Sequence, residues 1–216
     1  MNIEIWSDVV CPWCYIGKRR LEHALGQFEH AGEVEIAWRS FQLNPDTPPG
    51  TATPTLDYLA GRFGPQATAM TGRVAELAKA EGLGFDFGAA LTVNTLDAHR
   101  LLHLAADLGI GDAAKERLLR AHFTEGADLS DHETLTRLLG EAGAEPDRVR
   151  AVLVGDEYAD AVRADFEEAR RLGANGVPFF VIDRRYGISG AQPAETFLHA
   201  LRTAYAAEDA EDAAAR

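Results

Sequence analysis

The stretch Ser7-Asp8-Val9-Val10-Cys11-Pro12-Trp13-Cys14-Tyr15-Ile16-Gly17 lies where the apolar periodicity of the chain changes. Before it, Ile3 and Ile5 alternate with polar residues, which is the spacing of a half-buried strand. Apolar residues after it recur at helical spacing, and residues 34–41 alternate again. The sequence therefore predicts a βαβ unit whose first strand-to-helix turn contains the two cysteines.

The rest of the chain divides into a helical block and a second β segment. A stretch rich in Pro and Thr, residues 44–55, marks a boundary, and the residues after it show helical patterns up to Gly173. Ser130 with Glu133 forms a capping-box pattern, and Asp156 is a second expected N-cap.

Strand patterns return after Gly173 and change the expected architecture. Residues 179–182 and 185–188 predict a hairpin, and a last helix follows Pro193. The order βαβ, helices, ββα predicts an α/β fold in which a helical domain is inserted into a four-stranded sheet. We expect one domain formed by residues 1–48 and 174–216, and an inserted helical domain at residues 49–173.

Composition narrows the classes of partner. The formal net charge of −13 opposes sequence-independent binding to nucleic acid or to an anionic membrane. No apolar run approaches the roughly 18 to 20 residues of a spanning helix, and the N-terminus lacks a secretion-signal pattern. With two cysteines in the chain, a framework of structural disulfides is not expected, and a cytoplasmic location is predicted.

The Cys-x-x-Cys spacing at the start of a helix is typical of a redox dithiol. Cys11 would face the helix N-terminus, where the helix dipole stabilises a thiolate, so its pKa is expected below about 8.5. Cys14 lies one turn along on the same face, within reach of a disulfide. Pro12 fits the first helical turn, while Trp13 adds bulk without formal charge.

These residues carry a resemblance to a known family. The stretch 7–17 resembles the active site of the DsbA family, most closely its FrnE-like branch. Three further segments are similar to that branch: Asn94-Thr95-x-x-Ala98-His99-Arg100-Leu101, Gly176-Val177-Pro178-Phe179-Phe180 and Ile188-Ser189-Gly190-Ala191-Gln192. The resemblance implies a thioredoxin-like fold with a large all-helical insertion, and it places the family's cis-proline loop at Val177-Pro178.

The resemblance also implies an activity and a site. Cys11 would attack a disulfide of a protein or peptide, Cys14 would resolve the mixed disulfide, and no organic cofactor would be needed. The residues expected to shape the substrate site are Pro12, Trp13, Val177 and Pro178. Glutathione is left open as a co-substrate.

Other interpretations compete with this one. The cysteines could be half of a zinc site, although closed structural sites need four ligands, and His99 with His103 could bind a metal from one helix face. Asp8, Asn94 and His99 are interpreted as capping or packing residues. Kappa-class glutathione transferases and 2-hydroxychromene-2-carboxylate isomerases share the inserted-helix plan, but they typically have a Ser in place of the first Cys. A chaperone or maturation partner is the non-enzymatic alternative.

Overall fold

The computed structural model describes residues 1–214, with side chains described to residue 207. Its strands are β1 (Asn2–Ser7), β2 (Glu35–Ser40), β3 (Ala52–Pro54), β4 (Leu91–Val93), β5 (Phe179–Ile182) and β6 (Tyr186–Ser189). Its helices are α1 (Pro12–Leu25), α2 (Thr55–Phe63), α3 (Ala67–Ala80), α4 (Leu96–Asp107), α5 (Gly111–Glu125), α6 (His132–Glu141), α7 (Pro146–Val154), α8 (Ala159–Arg171) and α9 (Ala194–Ala214).

The main sheet has four strands in the order β2-β1-β5-β6. Strand β1 runs parallel to β2 and antiparallel to β5, and β5 pairs with β6 as a hairpin. The hairpin turn contains Asp183 and Arg184, whose φ angles of 48° and 55° match the left-handed backbone of a tight hairpin turn. The sheet therefore joins the first and last segments of the chain, as the strand patterns predict.

The buried side chains form separate clusters on the two parts of the chain. One cluster joins the main sheet to α1 and α9 and includes Ile3, Ile5 and Phe180. A second lies among α4, α5, α6 and α7 and includes Leu101, Leu118 and Leu135. A third cluster connects them, with Tyr15 and Ile16 of α1 packed against Ala78, Leu119 and Phe123 of the inserted segment. The start of α1 therefore lies where the sheet meets the helices.

The inserted segment also contains elements that the sequence patterns do not reveal. Strands β3 and β4 form a two-stranded antiparallel ribbon, and each is three residues long, too short for an alternating pattern. Helix α2 begins at Thr55, the last residue of the Pro- and Thr-rich stretch. Its large apolar residues Leu56 and Phe63 are exposed, so it shows no buried apolar stripe that would predict a helix.

Two expected N-caps are wrong. Helix α6 is capped by Asp131, whose carboxylate accepts a 2.8 Å hydrogen bond from the Thr134 N–H, because Ser130 instead bonds to Asp128 in the preceding turn. Helix α8 begins at residue 159 after Tyr158, which has a left-handed φ of 66°. Asp156 therefore lies outside the helix that it was expected to cap.

Candidate functional site

Both cysteines lie at the junction of β1 and α1. Cys11 is the N-cap residue of α1, with an extended backbone, and Pro12 is in the first helical turn. The Cys11 N–H donates to the Asp8 carbonyl at 3.3 Å, and the Cys14 N–H donates to the Cys11 carbonyl at 3.0 Å. Both cysteines are free thiols and buried, while Trp13 between them is 39% exposed. The two thiols thus belong to one helical turn, with an exposed indole at its surface.

The loop before β5 lies against the first cysteine. Cys11 Sγ donates to the Val177 carbonyl oxygen at 3.6 Å, and the Val177–Pro178 peptide bond is cis. The Pro178 carbonyl accepts a 2.8 Å hydrogen bond from the Gly190 N–H, which ties the loop to the end of β6. The fold therefore brings together the predicted residues Cys11 and Val177, which are 166 positions apart.

The second cysteine has a strongly unfavourable environment for a thiolate. Burial raises the pKa of the Cys14 thiol, and the interaction with Cys11 raises it further. The charge of Lys115 acts in the opposite direction. The two thiols are therefore not equivalent, since Cys14 retains its proton more readily than a free cysteine does.

A buried carboxylate and imidazole lie directly behind the dithiol turn. Asp8 and His99 are both 0% exposed, and His99 Nε2 is 3.2 Å from Asp8 Oδ1. Burial opposes ionisation of Asp8. Its pKa is nevertheless lowered, because His99 contributes a hydrogen bond and a charge and because the Leu43 N–H donates to Asp8 Oδ2 at 2.8 Å. Burial also lowers the pKa of His99. His99 packs in α4 as expected, and it does so against the active-site turn.

The amide of Asn94 performs the cap that was expected at the start of α4. Its Oδ1 atom accepts a 2.9 Å hydrogen bond from the Leu96 N–H, and its Nδ2 donates to the Thr47 carbonyl at 2.6 Å. Thr95 occupies the N-cap position without a side-chain cap bond. Asn94 therefore holds the helix start to the segment that follows β2.

Sequence reasoning missed Lys115, a residue of α5. Its side chain is 0% exposed, and burial lowers its pKa to about 8, against the favourable charges of Cys14, Asp8 and Cys11. The spacing along α5 could have revealed its burial. Lys115 precedes Leu118, Leu119 and His122 by three, four and seven positions, which places it on the buried stripe of the helix. A lysine at such a position is almost never fully buried unless it has a partner.

A cavity opens beside the dithiol turn. It has a volume of about 280 Å³ and lies between Pro12 and Val10 on one side and helix α2 on the other. The α2 residues that line it are Tyr58, Leu59, Arg62 and Phe63. His122 and Phe123 of α5 also line it. The cavity is mostly apolar, with a guanidinium and a phenol on the α2 side.

The two histidines of the alternative metal site have separate partners. His103 Nε2 lies 3.1 Å from both Ser40 Oγ and Asp165 Oδ2, whereas His99 bonds to Asp8. Among the described side chains, those of residues 1–207, no group of three or more His, Cys, Asp or Glu has the arrangement of a metal site. In the same residues, no helix combines the length and the apolar character needed to cross a membrane.

The chain belongs to the DSBA-like thioredoxin domain family, whose model matches residues 2–202. The predicted α/β thioredoxin-like fold is confirmed by this match. The inserted segment is not all-helical as predicted, because it contains the β3–β4 ribbon. A structure of a probable DsbA oxidoreductase from Streptomyces coelicolor is 45% identical, with a TM-score of 0.91 over 95% of this chain and 90% of that chain.

Two more distant structures share the fold. A cytosolic disulfide reductase, DsbM from Pseudomonas aeruginosa with GSH, is 20% identical, with a TM-score of 0.64 and coverage of 94% of this chain and 98% of that chain. A 2-hydroxychromene-2-carboxylate isomerase is 13% identical, with a TM-score of 0.64 over the full length of both chains. At these identities the likeness concerns the fold alone.

Proposed function

We propose that this protein is a thiol–disulfide oxidoreductase that exchanges its Cys11-Pro12-Trp13-Cys14 dithiol with disulfides of peptides or proteins. The observation that carries the proposal is the unequal setting of the two thiols. Cys11 caps a helix N-terminus and faces the Val177 carbonyl, while Cys14 is buried with a raised pKa. Helix N-termini favour an anion, so Cys11 is the better placed nucleophile.

The exchange takes place in two steps. The Cys11 thiolate attacks one sulfur of the substrate disulfide, and the other substrate sulfur leaves as a thiolate. Cys14 then loses its proton and attacks Cys11 Sγ, which forms the Cys11–Cys14 disulfide and releases the second substrate thiolate. Two electrons pass from the dithiol to the substrate, and the reverse sequence oxidises a substrate dithiol. The chemistry needs no organic cofactor, because the dithiol that supplies the two electrons belongs to the chain.

The substrate would lie across the dithiol turn, the loop before β5 and the cavity beside Pro12. The Val177 backbone can pair with an extended segment next to Cys11. Trp13 offers an exposed indole surface, and the cavity can accept an apolar side chain of the segment. In this arrangement Pro12, Trp13, Val177 and Pro178 contact the substrate while Cys11 reacts with it.

Glutathione is a second candidate substrate of the same site. Support comes from DsbM, a cytosolic disulfide reductase of the same fold whose structure contains GSH. A glutathione mixed disulfide on Cys11 would be resolved by Cys14 in the same way as a peptide mixed disulfide.

We also propose a cytoplasmic location for the protein and membership of the FrnE-like branch. We further propose that the chain divides into a thioredoxin-like domain, residues 1–48 with 174–216, and an inserted helical domain, residues 49–173.

Kinetics with purified protein test the proposal. Reduced protein is mixed with a fluorescent peptide disulfide, and the release of peptide thiol is followed with and without glutathione as the regenerating reductant. With glutathione we expect repeated turnover in the parent and no release in Cys11→Ser. Without glutathione, Cys14→Ser should stop after the first of the two exchange steps, with one peptide thiol released and the other half of the peptide bound to Cys11. A parent that releases no thiol from peptide or glutathione disulfides would contradict the proposal.

The isomerase and transferase alternatives make a different prediction for the first cysteine. Enzymes that only bind and activate glutathione typically have a Ser at that position, so Cys11→Ser would keep such an activity. A chaperone or maturation partner would keep client binding in the Cys11→Ser, Cys14→Ser double variant. Complete loss of the protein's activity in Cys11→Ser therefore separates an oxidoreductase from a glutathione-activating enzyme and from a chaperone or maturation partner.

A further inference from the structure

Lys115 is a buried cation whose Nζ atom has no hydrogen-bond partner among the described residues. Its side chain is 0% exposed, and Nζ lies 5.4 Å from the centre of the Trp38 ring. An ammonium group in such a place is strongly unfavourable unless negative charge nearby compensates its lost hydration. The indole face supplies part of that compensation.

The dithiol turn is the neighbouring source of further compensation, because α5, which carries Lys115, packs its Leu119 and Phe123 against Tyr15 and Ile16 of α1, directly after Cys14. The titratable groups that act on Lys115 or feel its charge are Cys14, Asp8, Cys11, Lys18 and His99. Cys14 has the largest favourable effect on the ammonium form, ahead of Asp8 and Cys11. Asp8 is already bound by His99 and by the Leu43 N–H. The thiolate forms of Cys14 and Cys11 are thus further negative groups that can compensate the charge of Lys115.

The like charge of Lys18 does not compete for this position. Lys18 Nζ forms ion pairs with Glu22, Asp112 and Glu116, so its own charge is compensated by carboxylates of α1 and α5. Lys115 has no carboxylate ion pair of this kind in the described residues. Its charge therefore acts on the Trp38 indole face and on the groups of the active-site turn.

We propose that Lys115 is a charge-stabilising residue of the dithiol: its buried ammonium group stabilises the thiolate that Cys14 must form to resolve a mixed disulfide. The inference rests on the proposed thiol–disulfide exchange and deepens it. In the resolving step the Cys14 proton passes to a base in the solvent, and the thiolate attacks Cys11 Sγ. The Cys11–Cys14 bond forms, the bond from Cys11 to the substrate breaks, and the departing substrate thiolate takes up a proton from water.

Stabilisation of this kind is mutual. If the ammonium stabilises the thiolate, then the thiolate also keeps the proton on Lys115. In the Cys11–Cys14 disulfide neither sulfur can carry a negative charge, so Lys115 loses a partner that favours its charged form. Oxidation of the dithiol should therefore lower the pKa of Lys115.

The first test measures the Cys14 thiol directly and needs no substrate. In a Cys11→Ser background, the thiolate absorbance near 240 nm is titrated with and without Lys115→Met. We expect the Cys14 pKa to rise by about one unit or more, a tenfold loss of thiolate at a given pH. Lys79→Met, the same change at an exposed lysine of α3, should leave it unchanged. An unchanged Cys14 pKa in folded Lys115→Met would overturn the proposal, whether or not the parent exchanges disulfides.

The second test uses the parent protein and remains informative if Lys115→Met does not fold. The chain has three lysines, Lys18, Lys79 and Lys115, so carbon-13 labelled lysine gives three side-chain signals that Lys18→Arg and Lys79→Arg assign. We expect the Lys115 pKa to be lower in the disulfide form than in the dithiol form by about one unit. Equal values in the two forms would overturn the inference. Failure of the cysteines to form a disulfide would overturn both the inference and the proposed function.

Discussion

The imidazole of His99 and the carboxylate of Asp8 are 91 residues apart in the chain, and their Nε2 and Oδ1 atoms lie 3.2 Å apart with both side chains fully buried. Asp8 belongs to the turn that precedes Cys11, while His99 belongs to α4 of the inserted segment. Their contact therefore fixes the position of the dithiol turn relative to the inserted helices. It also places a negative group next to the thiols.

Removing this carboxylate should destabilise the fold. In Asp8→Ala, both His99 Nε2 and the Leu43 N–H lose a buried partner, so we expect a loss of about 3–5 kcal/mol in the free energy of unfolding. Asp8→Asn keeps an oxygen that can accept a hydrogen bond from the Leu43 N–H, so it should lower the free energy of unfolding by less. Denaturant unfolding followed by circular dichroism gives both values. Asp46→Ala, at an exposed position, serves as the control, and a loss in Asp8→Ala no larger than in this control would contradict the account.

His122 makes the protein sensitive to acid. Burial lowers its pKa from 6.5 to about 4, although the charge of Asp8 acts the other way. Between these values the unfolded chain binds a proton that the native state excludes, so stability falls as the pH drops from 6.5 and levels off below the native pKa. The full effect is about 3 kcal/mol.

Unfolding free energies at pH 7 and at pH 4 test this dependence. His122→Leu should lose less stability between the two pH values than the parent does. The exposed His199→Leu should follow the parent closely. An equal loss of unfolding free energy between pH 7 and pH 4 in the parent and in His122→Leu would show that another group causes the acid sensitivity.

Gly17 allows the loop before β5 to approach α1. A Cβ atom at this position would lie 3.0 Å from Pro178 Cγ and 3.2 Å from the Phe180 ring. Gly17→Ala should therefore push the loop away from Cys11, with a cost of roughly 1–3 kcal/mol in stability and a slower exchange. Gly72→Ala in α3 has nothing within 4 Å and should stabilise the protein by up to roughly 1 kcal/mol. If both variants behave alike in unfolding and exchange, the close packing of the loop has no functional role.

The cavity beside Pro12 should distinguish peptide substrates from small ones. Leu59→Gln places a polar group in the apolar lining, so we expect about a tenfold rise in KM for a peptide disulfide and little change for 2-hydroxyethyl disulfide. Leu56→Gln makes the same change on the same helix outside the lining and should have no such effect. An equal change of KM for both substrates would rule the cavity out as a peptide site.

Local patterns predicted the elements that carry the dithiol, whereas the surroundings of the dithiol depend on tertiary packing. The alternation before Cys11 and the helical spacing after it are properties of neighbouring residues, so the strand, the turn and α1 could be inferred. Which side of α4 and α5 covers that turn is decided by long-range contacts. For that reason His99 could be assigned only a packing role, and Lys115 was missed although it interrupts an apolar stripe.

The unequal tasks of Cys11 and Cys14 are the central claim, and intact-protein mass spectrometry tests them most directly. Each single Cys→Ser variant is incubated with a disulfide peptide and quenched with acid. We predict that Cys14→Ser accumulates a covalent peptide adduct on Cys11, because the resolving thiol is missing. Cys11→Ser should carry none, because burial raises the pKa of the Cys14 thiol and leaves little of the reactive thiolate. An adduct on Cys11→Ser alone, or none on Cys14→Ser, would contradict the account.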